Sequence, residues 1–231
     1  MKKHALITGS SGLIGSEMVR EFLQAGYTVT GFDLKENKEL DHPDFQFVKA
    51  DLSKEADIKK AFAKIKNLDV LINNAARANP HQKKIHELSL KDWEEGMAIN
   101  LTSVFLMTKY SIPLLKKSKG NIINISSTRH LMSEANTEIY SASKGAMDAL
   151  TRALAISLSH EVRVNSISPG WIDDPKGKFS KKDHEQHPAG RVGRPSDIAQ
   201  SALFLARDGS SFITGQDFVV DGGMSVKMIY R

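Results

Sequence analysis

The chain has 231 residues, 40% of them hydrophobic, with 32 basic and 27 acidic side chains, a net charge of +5 and no cysteine. That length suits one large α/β domain, and the interleaved charges read as a solvated surface, not a nucleic-acid face. The missing cysteines exclude disulfides, thiolate catalysis and cysteine-ligated metals, and with no signal peptide or membrane-length apolar run the expected location is the cytoplasm.

Residues 4–8, His-Ala-Leu-Ile-Thr, predict a first strand. Gly9, Gly12 and Gly15 follow, and then Met18, Val19, Phe22 and Leu23 recur at helical spacing. Glycines between a strand and a helix are the context of a dinucleotide fingerprint, because the backbone turns tightly and a pyrophosphate reaches free N–H groups at the positive helix end. A second strand, 27–32, runs into Asp33, placed to accept hydrogen bonds from a ribose diol. Its charge repels a 2′-phosphate, so NAD is expected over NADP, with Lys35 and Lys38 keeping NADP as the alternative. A third strand covers 45–50, and Ser53 is the expected N-cap of a helix to about Lys66. A buried strand at 69–73 comes next. Ser89 and Asp92 form a capping box opening a long helix toward Lys117, with Pro113 as a kink site. Then come a strand at 121–126, a helix from about 139 to 160 and a strand at 162–167. Residues 171–194 are polar, lysine-rich and aperiodic, with the position of a lid. Pro195 and Ser196 open a helix to about Ala206, and a last strand at 217–221 ends in Gly222-Gly223. This alternation predicts an α/β fold, a Rossmann-like doubly wound three-layer sandwich with a seven-stranded, mostly parallel sheet, as one dinucleotide-binding domain over 1–231.

The chemistry sits in three side chains. Tyr140 and Lys144 are one helical turn apart, so a phenol and an ammonium share a face. The ammonium is expected to favour the phenolate and lower the phenol below its ordinary value of about 10. Ser127, after the apolar run 121–126, would hold a substrate oxygen while Tyr140 passes the proton. Arg129 leaves the same strand end and reads equally as a partner for an anionic substrate group or as a surface arginine. Trp171 is expected to line the substrate cleft. His184 and His187 resemble a metal pair only superficially and read as a solvated loop, so no metal is expected.

Together these motifs resemble the short single-domain branch of the short-chain dehydrogenase/reductase family over almost the whole chain. The resemblance rests on Thr8 to Gly15, Asp51-Leu52, Asn73 to Ala76, Asn100, Ile125 to Ser127, Tyr140 to Lys144, Pro169 to Ile172 and Asp221 to Gly223. Ser127 lies 13 residues and Asn100 40 residues before Tyr140, the family's usual intervals. The resemblance implies an NAD(P)-dependent oxidoreductase interconverting an alcohol and a carbonyl. Tyr140 would be the acid/base, Lys144 would bind the nicotinamide ribose, Ser127 would polarise the substrate oxygen and Asn100 would hold a relay water. Gly9, Ser11, Gly12, Leu13, Ile14, Gly15, Asp33, Asp51, Leu52, Asn74, Ala75 and Ala76 would contact the dinucleotide's adenosine and phosphates. Pro169, Gly170 and Ile172 would flank its nicotinamide. A homotetramer is expected, with a dimer as the alternative. Three departures stand out: the middle glycine comes one place early, Ala76 replaces a glycine, and Asp174 replaces a threonine. The glycine spacing keeps open an epimerase or dehydratase using transient oxidation; a non-redox dinucleotide-binding module is the other alternative.

Overall fold

Successive residues of a strand point to opposite faces, and here both faces are buried. In strand β1, His4–Thr8, Leu6 belongs to one core and its neighbours Ala5 and Ile7 to the other. The first core packs Leu6, Phe32, Leu71, Ile122 and Val164 against Leu106, Met107 and Leu115. The second packs Ala5, Ile7, Val29, Ile72 and Ile123 against Met18, Phe22, Ile198 and Ala202. A sheet sandwiched between two helical layers follows from that pattern.

The computed structural model describes residues 2–78 and 83–228. After β1 come helix α1 (Leu13–Gln24), β2 (Thr28–Asp33), β3 (Phe45–Lys49), α2 (Glu55–Phe62) and β4 (Val70–Asn73). Next are α3 (Leu90–Met97), α4 (Ser103–Ser118), β5 (Asn121–Ile125), α5 (Glu138–Ser157) and β6 (Arg163–Pro169). The short α6 (Lys181–Glu185), α7 (Pro195–Ala206) and β7 (Asp217–Val220) complete the chain. The strand order is β3-β2-β1-β4-β5-β6-β7, and every neighbouring pair is parallel. Strand order reverses between β1 and β4, so the crevice beyond Thr8 and Asn73 is where a ligand enters such a sheet. Ile125 pairs with Ile167, which brings Ser127 and Gly170 to the same edge.

Several boundaries differ from the sequence expectation, each for a local reason. Ser53 does not cap α2: its N–H and hydroxyl both donate to Asp51 Oδ1, at 3.1 and 2.6 Å, and Lys54 takes the cap position. The helix stops at Phe62, short of Lys66. The Ser89–Asp92 capping box forms, with Asp92 N–H donating to Ser89 Oγ at 3.1 Å and Ser89 N–H to Asp92 Oδ2 at 2.9 Å. The helix it opens widens into one π-helical turn at Ala98–Thr102 before continuing as α4, which carries Pro113 inside it. By length and composition alone, 90–118 could cross a membrane. Its Val104, Met107 and Leu115 are instead buried in the fold. The aperiodic segment 171–194 is folded, not bare loop. Ser180 and Asp183 box the start of α6, and Ile172 bridges to Gly193.

Candidate active site

The glycine turn is shaped by close approach. Gly9 adopts φ +65°, and a Cβ there would lie 2.9 Å from both Ala75 Cα and Asn74 Nδ2. A Cβ on Gly15 would lie 2.0 Å from the Gly9 carbonyl oxygen, which no side chain tolerates. Gly12 is extended and starts α1 without any side-chain cap, leaving first-turn amides open toward the crevice. Thr8 braces the turn: its hydroxyl accepts from Asn74 N–H at 2.9 Å and Ala75 N–H at 3.0 Å, while Asn74 Nδ2 donates to the Thr8 carbonyl at 2.9 Å. Ala76 lies outside the positive-φ region, so its extra methyl strains nothing.

A cleft of about 1320 Å³ runs along this edge. One end is walled by Asp33, Asp51 and Leu52, the middle by the glycine turn and Asn74 to Ala76, and the other end by Ser127, Tyr140, Lys144, Pro169, Gly170 and Ile172. Every residue that the sequence assigned to a dinucleotide faces this one cleft. The Asp33 carboxylate is fixed at its rim, accepting from Ser11 N–H at 3.0 Å and Leu34 N–H at 2.6 Å. The uncapped helix end, the bare glycine backbone and the fixed carboxylate suit a pyrophosphate and a ribose diol.

At the reacting end Lys144 is 2% exposed, with Nζ 5.5 Å from the Tyr140 ring centroid and donating to the Ile125 carbonyl at 2.7 Å. Burial brings its ammonium down to about 7. Burial also holds the Tyr140 phenol above its ordinary value, against the opposing pull of the neighbouring Ser127 hydroxyl and of the Arg129 guanidinium. The expected lowering by Lys144 is therefore not what the chain alone provides. Desolvation disfavours both charges, and a lysine poised near 7 carries only a partial charge at neutrality. Ser127 Oγ also accepts from Arg129 N–H at 3.2 Å.

Asn100 is 1% exposed and sits in the π turn. Its Oδ1 accepts from Arg77 N–H at 2.8 Å, and its Nδ2 donates to Ser143 Oγ at 3.3 Å. Ser143 Oγ in turn donates to the Tyr140 carbonyl at 2.7 Å, so Asn100 is tied to the helix that carries Tyr140. The wide turn is stabilised by Ser103, whose N–H reaches Ala98 O and whose hydroxyl donates to Ile99 O at 2.6 Å.

Of the expected site residues, Asn100, Arg129 and Trp171 lie off the cleft wall. Arg129 pairs with Glu134 at 2.7 Å. Trp171 packs edge-on against Phe179 at 5.9 Å and donates to Asp173 Oδ2 at 3.3 Å. Asp174, the departure from the family's threonine, is exposed, accepts from Lys176 N–H at 2.9 Å and does not line the cleft. His184 and His187 form no solvated loop. His184 Nδ1 accepts from Val192 N–H at 3.3 Å, and His187 is 2% exposed beside Trp171 and Gly222. The sequence reading missed Arg77, Glu94 and Glu95, which line the cleft, with Arg77 3.4 Å from Glu95. Arg77 directly follows Asn73 to Ala76, which was the available signal.

Comparison with known proteins gives the same picture. The family model described as enoyl-(acyl carrier protein) reductase matches residues 9–225. An uncharacterized oxidoreductase of Thermotoga maritima is 43% identical, covering 99% of this chain and 98% of that protein. L-fucose dehydrogenase of Bos taurus is 34% identical, covering 96% and 88%. Among solved structures, an apo SCOR enzyme from Clostridium thermocellum superposes with a TM-score of 0.91 at 37% identity, covering 100% and 96%. The 3-ketoacyl-(acyl-carrier-protein) reductase of Brucella melitensis, complexed with NADH, gives 0.86 at 31%, covering 96% and 98%. Fold, full-length match and relatives agree: the chain belongs to the short-chain dehydrogenase/reductase family and is an oxidoreductase that interconverts alcohols and carbonyls with a nicotinamide dinucleotide.

Proposed function

We propose that the protein is an NAD(H)-dependent dehydrogenase in which Tyr140 is the general acid/base, Ser127 orients the substrate oxygen and Lys144 relays the proton. The observation that carries this reading is the meeting of Ser127, Tyr140 and the buried Lys144, its Nζ 5.5 Å from the Tyr140 ring centroid, on the wall of the cleft that also holds the glycine turn and Asp33. The oxidised nicotinamide, when bound, supplies the hydride acceptor. In alcohol oxidation Tyr140, as phenolate, takes the hydroxyl proton while Ser127 donates to the same oxygen. Lys144, poised at about 7, then accepts and releases that proton near neutrality. Asn100 spends its side chain on Arg77 and Ser143, so relay through it falls to its main chain. In carbonyl reduction the same groups run in reverse, starting from the protonated phenol that burial favours.

Asp33 supports NAD over NADP, since its fixed carboxylate meets the ribose end of the cleft, and a relative's complex with NADH agrees. Lys35 and Lys54 at the same end keep NADP as the alternative. For substrate we favour a ring alcohol of the sugar kind. L-fucose dehydrogenase supports this, as do the charged walls Arg77, Glu94 and Glu95, which suit hydroxyl groups better than an acyl chain. We infer one dinucleotide-binding domain with 171–194 as lid. A cytoplasmic homotetramer, or otherwise a dimer, is supported by the absent cysteines and by exposed Phe105 and Ile156 on α4 and α5.

The test is Tyr140→Phe, assayed by nicotinamide absorbance with NAD and NADP against sugars and cyclic diols. Turnover should fall roughly 10²- to 10⁴-fold while coenzyme affinity stays close to wild type. Unchanged turnover would refute the mechanism.

A further inference from the structure

Three side chains far apart in sequence meet beside the Ser127 turn: His130, three residues past Ser127; Asp148 of α5; and Asp217 at the start of β7. One ring nitrogen and one oxygen from each carboxylate all lie within 4.8 Å of one another. His130 Nε2 stands 3.1 Å from Asp217 Oδ2. The three side chains are only 8%, 12% and 16% exposed for His130, Asp148 and Asp217. Both acids are held from behind. Asp217 Oδ1 accepts from Ser166 Oγ at 2.8 Å and Ser168 Oγ at 2.7 Å, and Asp148 is paired with Arg152.

We propose that His130, Asp148 and Asp217 form a binding site for one divalent transition-metal ion, which fastens the Ser127 turn to the helix carrying Tyr140 and Lys144. Two ligands of one ion at about 2.1 Å sit about 3.0–3.4 Å apart, and the His130–Asp217 separation falls in that window. Asp148 completes the set with a small closing movement. Arg152 balances one carboxylate, so with a neutral imidazole the cluster keeps one uncompensated negative charge in a mostly buried place. One imidazole with two carboxylates suits Zn²⁺ or Mn²⁺ better than Mg²⁺ or Ca²⁺, which prefer oxygen alone. Ser166, Ser168 and Arg152 are the outer partners that orient such ligands. The rival is a plain hydrogen-bonded pair in which a proton on His130 does the ion's work.

The test uses tag-free, chelator-treated full-length protein, titrated with Co²⁺ as a spectroscopic probe and then with Zn²⁺. One Co²⁺ per chain should bind with visible ligand-field bands, Zn²⁺ should displace it, and the melting temperature should rise on binding. His130→Gln should weaken Co²⁺ binding by at least about tenfold with coenzyme affinity retained. Asp148→Asn should do the same, and keeps the test valid should one variant misfold. Absence of saturable Co²⁺ binding overturns the proposal, as does binding undiminished in His130→Gln. A His130 imidazolium signal in NMR that Zn²⁺ leaves untouched overturns it as well.

Discussion

At the scale of single residues, the contest is between burial and charge. Tyr140 and Lys144 are each pushed toward their neutral forms by desolvation, so the phenol's help comes from Ser127 and from the Arg129 guanidinium. That gives Arg129 a role its sequence position only hinted at: a cation acting through Tyr140. A positive charge favours the phenolate, so removing it raises the Tyr140 pKa. Arg129→Gln should therefore move the rising limb of the pH profile for alcohol oxidation to higher pH, with lower activity at neutrality and an unchanged alkaline plateau. Glu134 partly neutralises Arg129 at 2.7 Å, so Glu134→Gln should move the limb the opposite way. Matching profiles for Arg129→Gln and wild type would show that Arg129 serves only its ion pair.

At the scale of elements, the glycine turn separates two reasons for a glycine. Gly9 and Gly15 are required by the chain itself, through positive φ at one and a 2.0 Å clash at the other. Gly12 is different: its φ is −73°, and an added Cβ would meet only the Gly9 carbonyl oxygen, at 3.4 Å. Gly12→Ala should thus fold with nearly wild-type stability. Its methyl would stand at the uncapped end of α1, where a pyrophosphate approaches, so dinucleotide affinity should drop by at least about tenfold. Retained affinity in a calorimetric titration would mean that the early glycine lies off the phosphate path. The elements themselves were legible in the sequence because period separates strand from helix, and all seven strands and the long helices stand where that period put them. Caps were less legible. Ser53 and Ser89 are the same N-cap residue type, but Ser89 has Asp92 three places on where Ser53 has Ala56; Asp51 captures the first before it can cap, and only the second closes a box. The π turn at Asn100 left no periodic trace, since it depends on Ser103 serving Ile99 and on Arg77 and Ser143 holding the amide.

At the scale of the whole molecule, parallel topology gathers into one cleft what the chain scatters from Gly9 to Ile172. Residues with a motif around them could be placed there from sequence. His130, Asp148 and Asp217 could not, because only the packing of β7 and α5 under the Ser127 turn brings them together. The burial of His187 in segment 171–194 is illegible for the same reason, since it depends on packing against Trp171 of that segment and beside Gly222 after the last strand. The same packing makes Lys144 a burden on global stability. Its ammonium falls from 10.5 to about 7, so between those values the unfolded chain binds a proton that the folded one has released. Stability therefore rises with pH across that window, and at or below pH 7 the burial of this one group costs on the order of 5 kcal/mol. Lys144→Met keeps an unbranched side chain of similar length and removes the proton, while leaving the Ile125 carbonyl without its donor, a loss of about 1–3 kcal/mol. The variant should be inactive, yet more stable than wild type in urea unfolding at pH 7. That advantage should shrink as the pH is raised and reverse between about pH 8 and 10, where the wild-type penalty falls below the cost of the lost hydrogen bond. A difference constant across this range would mean that Lys144 stays charged in the folded protein, leaving Tyr140 beside a full cation after all.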